Sequence, residues 1–174
     1  DRESLQIGIQ AALTGHLELS TLHTNNAIET LSRMIDMGAE DYLIAATLQC
    51  AMAQRLVRVI CPDCRVPYQP TPDEISALKI PQEWLAQARF FAGKGCTKCM
   101  NTGYRGRMGI FELLRISPAI REALINRASS DQIMQIAVKE GFRTMLDDGR
   151  DKVLHGITTP HEVIQAVYAG VYEA

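Results

Sequence analysis

The chain has 174 residues, of which 47% are apolar and 22% charged, and its formal net charge is −2. This is the composition of a folded domain with enough apolar material for a core, and the near-neutral balance excludes a strong global field directed at nucleic acid or an anionic membrane. No apolar run approaches the length that crosses a bilayer, and no secretory leader is expected.

The polar start Asp1-Arg2-Glu3-Ser4 lacks an initiator methionine, so the chain reads as a piece of a longer protein. Leu5, Ile9, Ala12 and Leu13 recur at helical spacing and predict a helix over 4–13, closed near Gly15. The largely alternating run from His16 to Leu22 predicts a strand. Thr24, Asn25 and Asn26 offer N-caps for a helix carrying Ile28, Leu31 and Ile35 and ending at Gly38. A further helix is expected over 41–52, and a β-branched strand over 56–60, although Met52, Leu56 and Ile60 also fit a helical period. Helix, strand, helix, helix, strand is the rhythm of half an α/β sheet domain, assigned to 1–60.

The second zone, 61–116, opens on Cys61-Pro62-Asp63-Cys64. Thr71-Pro72-Asp73-Glu74 is a capping box with proline at the first helical position, and a short helix carrying Trp84 and Leu85 follows Pro81. Gly93-Lys94-Gly95 leads into Cys96-Thr97-Lys98-Cys99. Gly103, Gly106 and Gly109 predict a loop ahead of a strand over 110–116. The third zone, 117–174, carries four punctuated helices: from Ser117-Pro118 to about 127, from Ser129 to Gly141, over 144–155, and from Thr159 to about 168. Together they predict a small bundle.

Four of the five cysteines form two C-x2-C pairs, Cys61/Cys64 and Cys96/Cys99. Without export signals, this spacing reads as a metal site before it reads as disulfides. Each pair lies on a turn that can aim two thiolates at one ion, and two such turns complete an all-thiolate tetrahedron suited to structural zinc. Iron in the same geometry and four reduced structural thiols are the alternatives. A closed shell leaves no position for substrate, so a stapling role is expected. Cys50, in an apolar stretch, reads as an ordinary buried thiol.

His16 and His23 flank the expected strand, whose C-terminal end leads into a helix N-terminus. α/β sheets place ligand sites at such points. The residues alone equally allow two hydrogen-bonded structural histidines.

With these motifs assembled, the chain resembles the type II secretion and type IV pilus assembly ATPases, hexameric motors of the RecA-like class. Asp1-Arg2-Glu3-Ser4 is similar to the end of the family's Asp box, and residues 14–26 to its His box, T-G-H-x-x-x-S-T-L-H-T-N. Ala53 to Arg58 resembles the strand leading into the cysteines. Cys61, Cys64, Cys96 and Cys99 match the tetracysteine motif of the assembly branch, Thr102 to Ile110 the run after it, and Asp148-Gly149 and Gly156 to Thr159 the C-terminal helices. The resemblance implies the back half of a RecA-like sheet domain over 1–60, a tetracysteine zinc lobe and return strand over 61–116, and a C-terminal helical bundle over 117–174. It implies His23 near the terminal phosphate of ATP, with His16 and Glu3 close by, and Arg107, then Arg105, as basic groups near the nucleotide. Without the resemblance, these arginines would read as a solvated loop face.

The same resemblance implies structural Zn2+, ATP and Mg2+ in a parent that forms homo-hexamers. That parent would be cytoplasmic and peripheral to the inner membrane, held through assembly-platform proteins of a secretion or pilus system. No nucleic-acid partner is implied. The 174 residues contain no G-x-x-x-x-G-K-[ST] run, so the chain alone is expected to lack useful ATP hydrolysis. The resemblance implies that the hexamers use contacts with upstream domains, so the chain alone is expected to be a monomer. The competing reading is a zinc-stabilised interaction module for protein or nucleic acid, with Lys94, Lys98, Arg105 and Arg107 as phosphate contacts. The acidic balance and sparse aromatics count against its nucleic-acid form.

Overall fold

In a computed structural model describing residues 1–169, the chain begins with α1 (Arg2–Leu13), started by Asp1, whose side chain accepts the Ser4 amide at 2.8 Å. The run from His16 to Leu22 forms no strand: Leu17 and Leu19 are 84% and 89% exposed. Alternation supplies faces, but a strand also needs a ladder partner, and among the described residues this segment has none. Next comes α2 (Glu29–Asp36), where Asn26 is the residue that caps. Its Oδ1 accepts the Glu29 amide at 2.8 Å, while the Glu29 carboxylate accepts from the Asn25 amide and the Asn26 side chain.

Helix α3 (Asp41–Thr47) stops short of the expected 41–52, because β1 (Cys50–Ile60) claims the residues from Cys50 onward. Ala51, Ala53 and Val57 are buried on one face of β1, while Met52, Gln54 and Leu56 face out. The period is therefore two, written partly in alanine. Cys50 is exposed rather than buried, since it lies on the outward parity of this strand.

The next elements are β2 (Arg65–Tyr68), α4 (Pro72–Ala77), α5 (Gln82–Leu85), β3 (Phe90–Gly93) and β4 (Tyr104–Arg115). Strand β1 pairs with β4, and β2 pairs with β3. The expected loop through Gly106 and Gly109 is thus the first half of β4, because pairing with β1 supplies the partner that the glycines' low strand propensity hides. The chain ends in α6 (Pro118–Ile125), α7 (Ser130–Lys139), α8 (Met145–Leu154) and α9 (Pro160–Tyr168), at the four expected places. Ser117, Ser129, Thr144 and Thr159 each accept a backbone amide as N-cap.

The described chain divides into two compact units. One comprises 1–53 and 112–143; the other comprises 54–111 and 144–169. In the first unit α3 packs on α1, α2 and α6, and α6 on α7, around Leu31, Ile44, Leu114 and Ile120. In the second unit α9 packs on α8 and α4, around Val57, Leu78, Ile110, Val153 and Val163. Each such side chain contributes about 1.5–3 kcal/mol over an exposed one. The close packing of α8 on α9 uses Gly149, where an added Cβ would lie 2.4 Å from Val163 Cγ1.

The second unit also holds a buried carboxylate. Glu162, 7% exposed, accepts the Arg58 backbone amide at 2.9 Å and its guanidinium Nη2 at 2.6 Å. Burial alone would raise its pKa, but the bonds from Arg58 outweigh burial and hold it below the usual carboxylate value. A folded pKa below the unfolded one gives stability that is present above the unfolded value of about 4.3 and lost as pH falls through the folded one. Glu162→Gln is expected to cost about 1.5–3 kcal/mol at pH 7. It should also flatten the fall of stability below about pH 4. Denaturant unfolding at pH 7 and pH 3 checks both, and an unchanged acid slope would contradict this assignment.

Candidate metal centre

The two C-x2-C pairs each form a single 3-10 turn, Pro62–Cys64 and Thr97–Cys99. They are brought together by the antiparallel ladder that starts directly after the first and ends just before the second. Arg65 pairs with Gly93 and Tyr68 with Phe90, and the Lys94 amide donates to the Cys64 carbonyl at 3.1 Å. The long spacing between the knuckles is therefore a hairpin whose far end carries α4 and α5. A second tie comes from the Cys61 amide, which donates to the Gly103 carbonyl at 2.9 Å.

Here the backbones approach more closely than side chains allow. A Cβ added to Gly93 would lie 2.0 Å from the Gly103 carbonyl oxygen, and one on Gly103 would lie 2.4 Å from that of Gly93. Gly103 also has φ +79°. Met100 and Asn101, with φ of 52° and 60°, turn the chain back after Cys99 at a cost of about 1 kcal/mol or more each.

The four Sγ atoms lie within 4.8 Å of one another. Cys61 to Cys96 and Cys64 to Cys99 are each 3.9 Å, and Cys96 to Cys99 is 3.7 Å. These spacings are far beyond a disulfide bond of about 2.05 Å. They match the edge of about 3.8 Å of a tetrahedron with metal–sulfur bonds of about 2.3 Å. Cys61, Cys64 and Cys99 are buried and Cys96 is half-buried. The donor set and its size therefore fit one divalent ion held in a closed shell.

Electrostatics agree with that fit. Burial opposes ionisation of Cys99, but amides of Cys96 and Gly103, 3.2 and 3.3 Å from its sulfur, and the neighbouring thiols hold its pKa down at about 6. Burial and the same crowding push the Cys64 thiol up to about 12. Four adjoining thiols cannot all ionise by themselves, and a bound dication removes that conflict. On the outer side, Asp63 and Lys98 occupy equivalent positions in the two knuckles and pair at 2.5 Å. Arg105 Nη1 lies 3.6 Å from the other Asp63 oxygen. Sequence reasoning passed over Asp63, although the matched positions within two C-x2-C turns were a usable signal.

Glu3, His16 and His23 belong to the first unit and are exposed. Glu3 is in the first turn of α1. His16 Nδ1 lies 3.0 Å from Thr14 Oγ1 and 3.2 Å from the Ala11 carbonyl. His16 lines an open depression with Gln6, Gln10, Glu18 and Glu40. The turn after His23 is anchored by Glu112, 5% exposed, whose Oε1 accepts the Ala27 amide at 2.7 Å. Glu112 was also passed over. It has the same strand parity as Ile110 and Leu114, which marks it as inward-facing. Arg105 and Arg107 belong to the second unit, both exposed.

Comparison with known proteins adds the following. The family model described as Type II/IV secretion system protein matches residues 1–165. The type IV pilus assembly ATPase PilB of Thermus thermophilus is 42% identical over 164 residues, 94% of this chain and 18% of that protein. The type II secretion system protein E of Pseudomonas aeruginosa is 44% identical over 165 residues, 95% of this chain and 32% of that protein. The chain thus spans about a fifth to a third of the length of these relatives. The X-ray structure of the Legionella pneumophila ATPase DotB matches with a TM-score of 0.59 at 20% identity, over 98% of this chain and 36% of that one, a likeness of fold.

Proposed function

The chain belongs to the type II/IV secretion system protein family, and from that premise we propose that it is part of a hexameric traffic ATPase that powers type II secretion or type IV pilus assembly. The observation that carries the reading is the four-sulfur cluster, set in a chain 42–44% identical to a pilus assembly ATPase and a type II secretion protein E. We assign 1–60 to the back half of the RecA-like core, 61–116 to the metal lobe and return strand, and 117–174 to a C-terminal helical segment. Zinc suits four thiolates in a closed tetrahedron; when bound it supplies charge neutralisation and a cross-link. Cys61, Cys64, Cys96 and Cys99 hold it, and the second knuckle's amides steady the Cys99 sulfur.

In this reading the run from His16 to Thr21, exposed and without a ladder here, would join the core sheet only when another part of the parent protein supplies a partner. Completing that ladder would cover Leu17 and Leu19 and satisfy the segment's backbone. His23, with His16 and Glu3, then stands beside the terminal phosphate of Mg-ATP, where a histidine can hold or release a hydrogen bond as that phosphate leaves. Arg107 and Arg105 offset charge on the phosphates. The metal lobe meets an inner-membrane assembly-platform protein. No helix among the described residues is long and apolar enough to cross a membrane.

The test is a chimera in which this chain replaces the matching third of the Pseudomonas aeruginosa protein. It is expected to hydrolyse ATP, to lose at least tenfold in kcat on His23→Ala, and to exceed the isolated 174-residue chain, which should stay at background. A folded, metal-loaded chimera with no hydrolysis would overturn the reading.

A further inference from the structure

On the inward face of β4, a carboxylate stands where the pattern calls for an aliphatic. Ile110 and Leu114 share that face and are buried, and Glu112 between them is buried too. A carboxylate in such a place gives up its water, which costs free energy unless polar groups replace it. A packed aliphatic would carry no such cost, so stability alone does not account for the choice. Residues that break a local rule in this way concentrate at functional sites.

The bond that Glu112 makes points to the function. Its Oε1 accepts the Ala27 amide at 2.7 Å, joining residues 85 positions apart. A carboxylate accepting from a backbone amide forms a charge-assisted bond, stronger than a neutral one. Ala27 and Ile28 are buried where the chain enters α2, whereas His23, four residues upstream, is exposed. All of these residues belong to the first unit. The turn between them is shaped by short-range bonds. Asn26 and Glu29 bind one another, Glu29 also accepts the Asn25 amide, and Thr24 Oγ1 lies 3.2 Å from Thr30 Oγ1. Those bonds fold the turn on itself. The bond to Glu112 ties it to β4, and so sets where the chain carrying His23 stands.

We propose that Glu112 is a positioning residue for ATP hydrolysis: by pinning the Ala27 amide to β4, it fixes the turn that presents His23 to the terminal phosphate. The role of His23 rests on the motor reading above; the anchor does not. Glu112 acts through the backbone of residues 23–27, so its loss displaces His23 without removing a group that holds the nucleotide. Such a displacement costs rate far more than affinity.

The experiment has two readouts. In the metal-loaded 174-residue chain, amide exchange followed by NMR is compared in the wild type, Glu112→Met and Glu112→Gln. Methionine fills the space with no oxygen, and glutamine keeps one. The Ala27 amide should exchange about tenfold faster or more in Glu112→Met and stay protected in Glu112→Gln. In the Pseudomonas aeruginosa chimera, Glu112→Met should lower kcat about fivefold or more with KM changed less than about twofold, and Glu112→Gln should stay within about threefold of the parent chimera. Adding Glu112→Met to His23→Ala should cost nothing further, because the group it positions is gone. A merely structural loss would subtract from both backgrounds alike. Circular dichroism and metal content establish folding. If Glu112→Met does not fold, Glu112→Asp, whose oxygens stop one methylene short, replaces it.

Unchanged Ala27 exchange in Glu112→Met would overturn the proposal, and so would an equal loss of kcat with and without His23. An inactive chimera sinks the motor reading and this role with it. An active, His23-dependent chimera that ignores Glu112→Met sinks this role alone.

Discussion

Cys99→Ala should leave the protein with less than about a tenth of an equivalent of bound zinc and lower its thermal midpoint by more than 10 °C, the scale expected when a structural zinc site is lost. The reason lies in what fills the lobe. The buried cluster at this point consists of Cys61, Cys64 and Cys99, with Cys96 against it, so the sulfurs are themselves the core. Removing one leaves three thiols that cannot close a tetrahedron, and no aliphatic packing replaces it. Structural zinc in small domains contributes on the order of 10 kcal/mol to folding. The β2–β3 hairpin and the two turns supply little independent stability, since a two-stranded hairpin is marginal on its own. A chelator should reproduce the effect in the wild type and do little to the variant. Elemental analysis separates zinc from iron, whose four-thiolate complex would also be coloured. A variant with the wild-type midpoint and metal content would contradict the assignment.

The second large effect is expected from Gly93→Ala. Its new Cβ would meet the Gly103 carbonyl at 2.0 Å, and the colliding group is backbone on both sides, so no rotamer change relieves it. The same carbonyl accepts the Cys61 amide, and the Gly103 amide points at the Cys99 sulfur. Pushing Gly103 away therefore disturbs both knuckles. A loss of about 4 kcal/mol or more is expected, the upper range for single substitutions. Metal should be surrendered faster to a competing chromophoric chelator. Gly106→Ala provides the contrast. Its φ of +83° is unfavourable for alanine, but no atom stands in the way, so it should cost about 1–2 kcal/mol and keep the metal. Equal metal retention in Gly93→Ala and the wild type would argue against a rigid junction.

The parts of this fold written in local chemistry were readable. Thr71, Ser117, Ser129 and Thr159 announce helices because a capping side chain needs only its own next three residues. The cysteine spacing announced its partners for a similar reason: few uses exist for paired thiolates on tight turns. The failures involve partners distant in sequence. Residues 16–22 carry a strand's alternation, but a ladder needs a neighbour. Residues 104–109 carry a loop's glycines, yet pairing with β1 makes them strand. The start of β1 was misread because alanines on its buried face hide the period of two. Strands β2 and β3 were missed altogether, being four residues each and lacking alternation. Of the site, the sulfur ligands were legible, but the contacts of Asp63 with Lys98 and Arg105 depend on how the two turns face each other.

Both units are built from two separated stretches, and this bears on events during translation. The two knuckles and the hairpin between them leave the ribosome before α8 and α9, so an ion can be captured while the rest of the second unit is still unmade. The early cross-link would hold Val57, Leu78 and Ile110 in one neighbourhood until Val153 and Val163 arrive to cover them. Metal scarcity in the cell would then act on newborn chains far more than on finished ones.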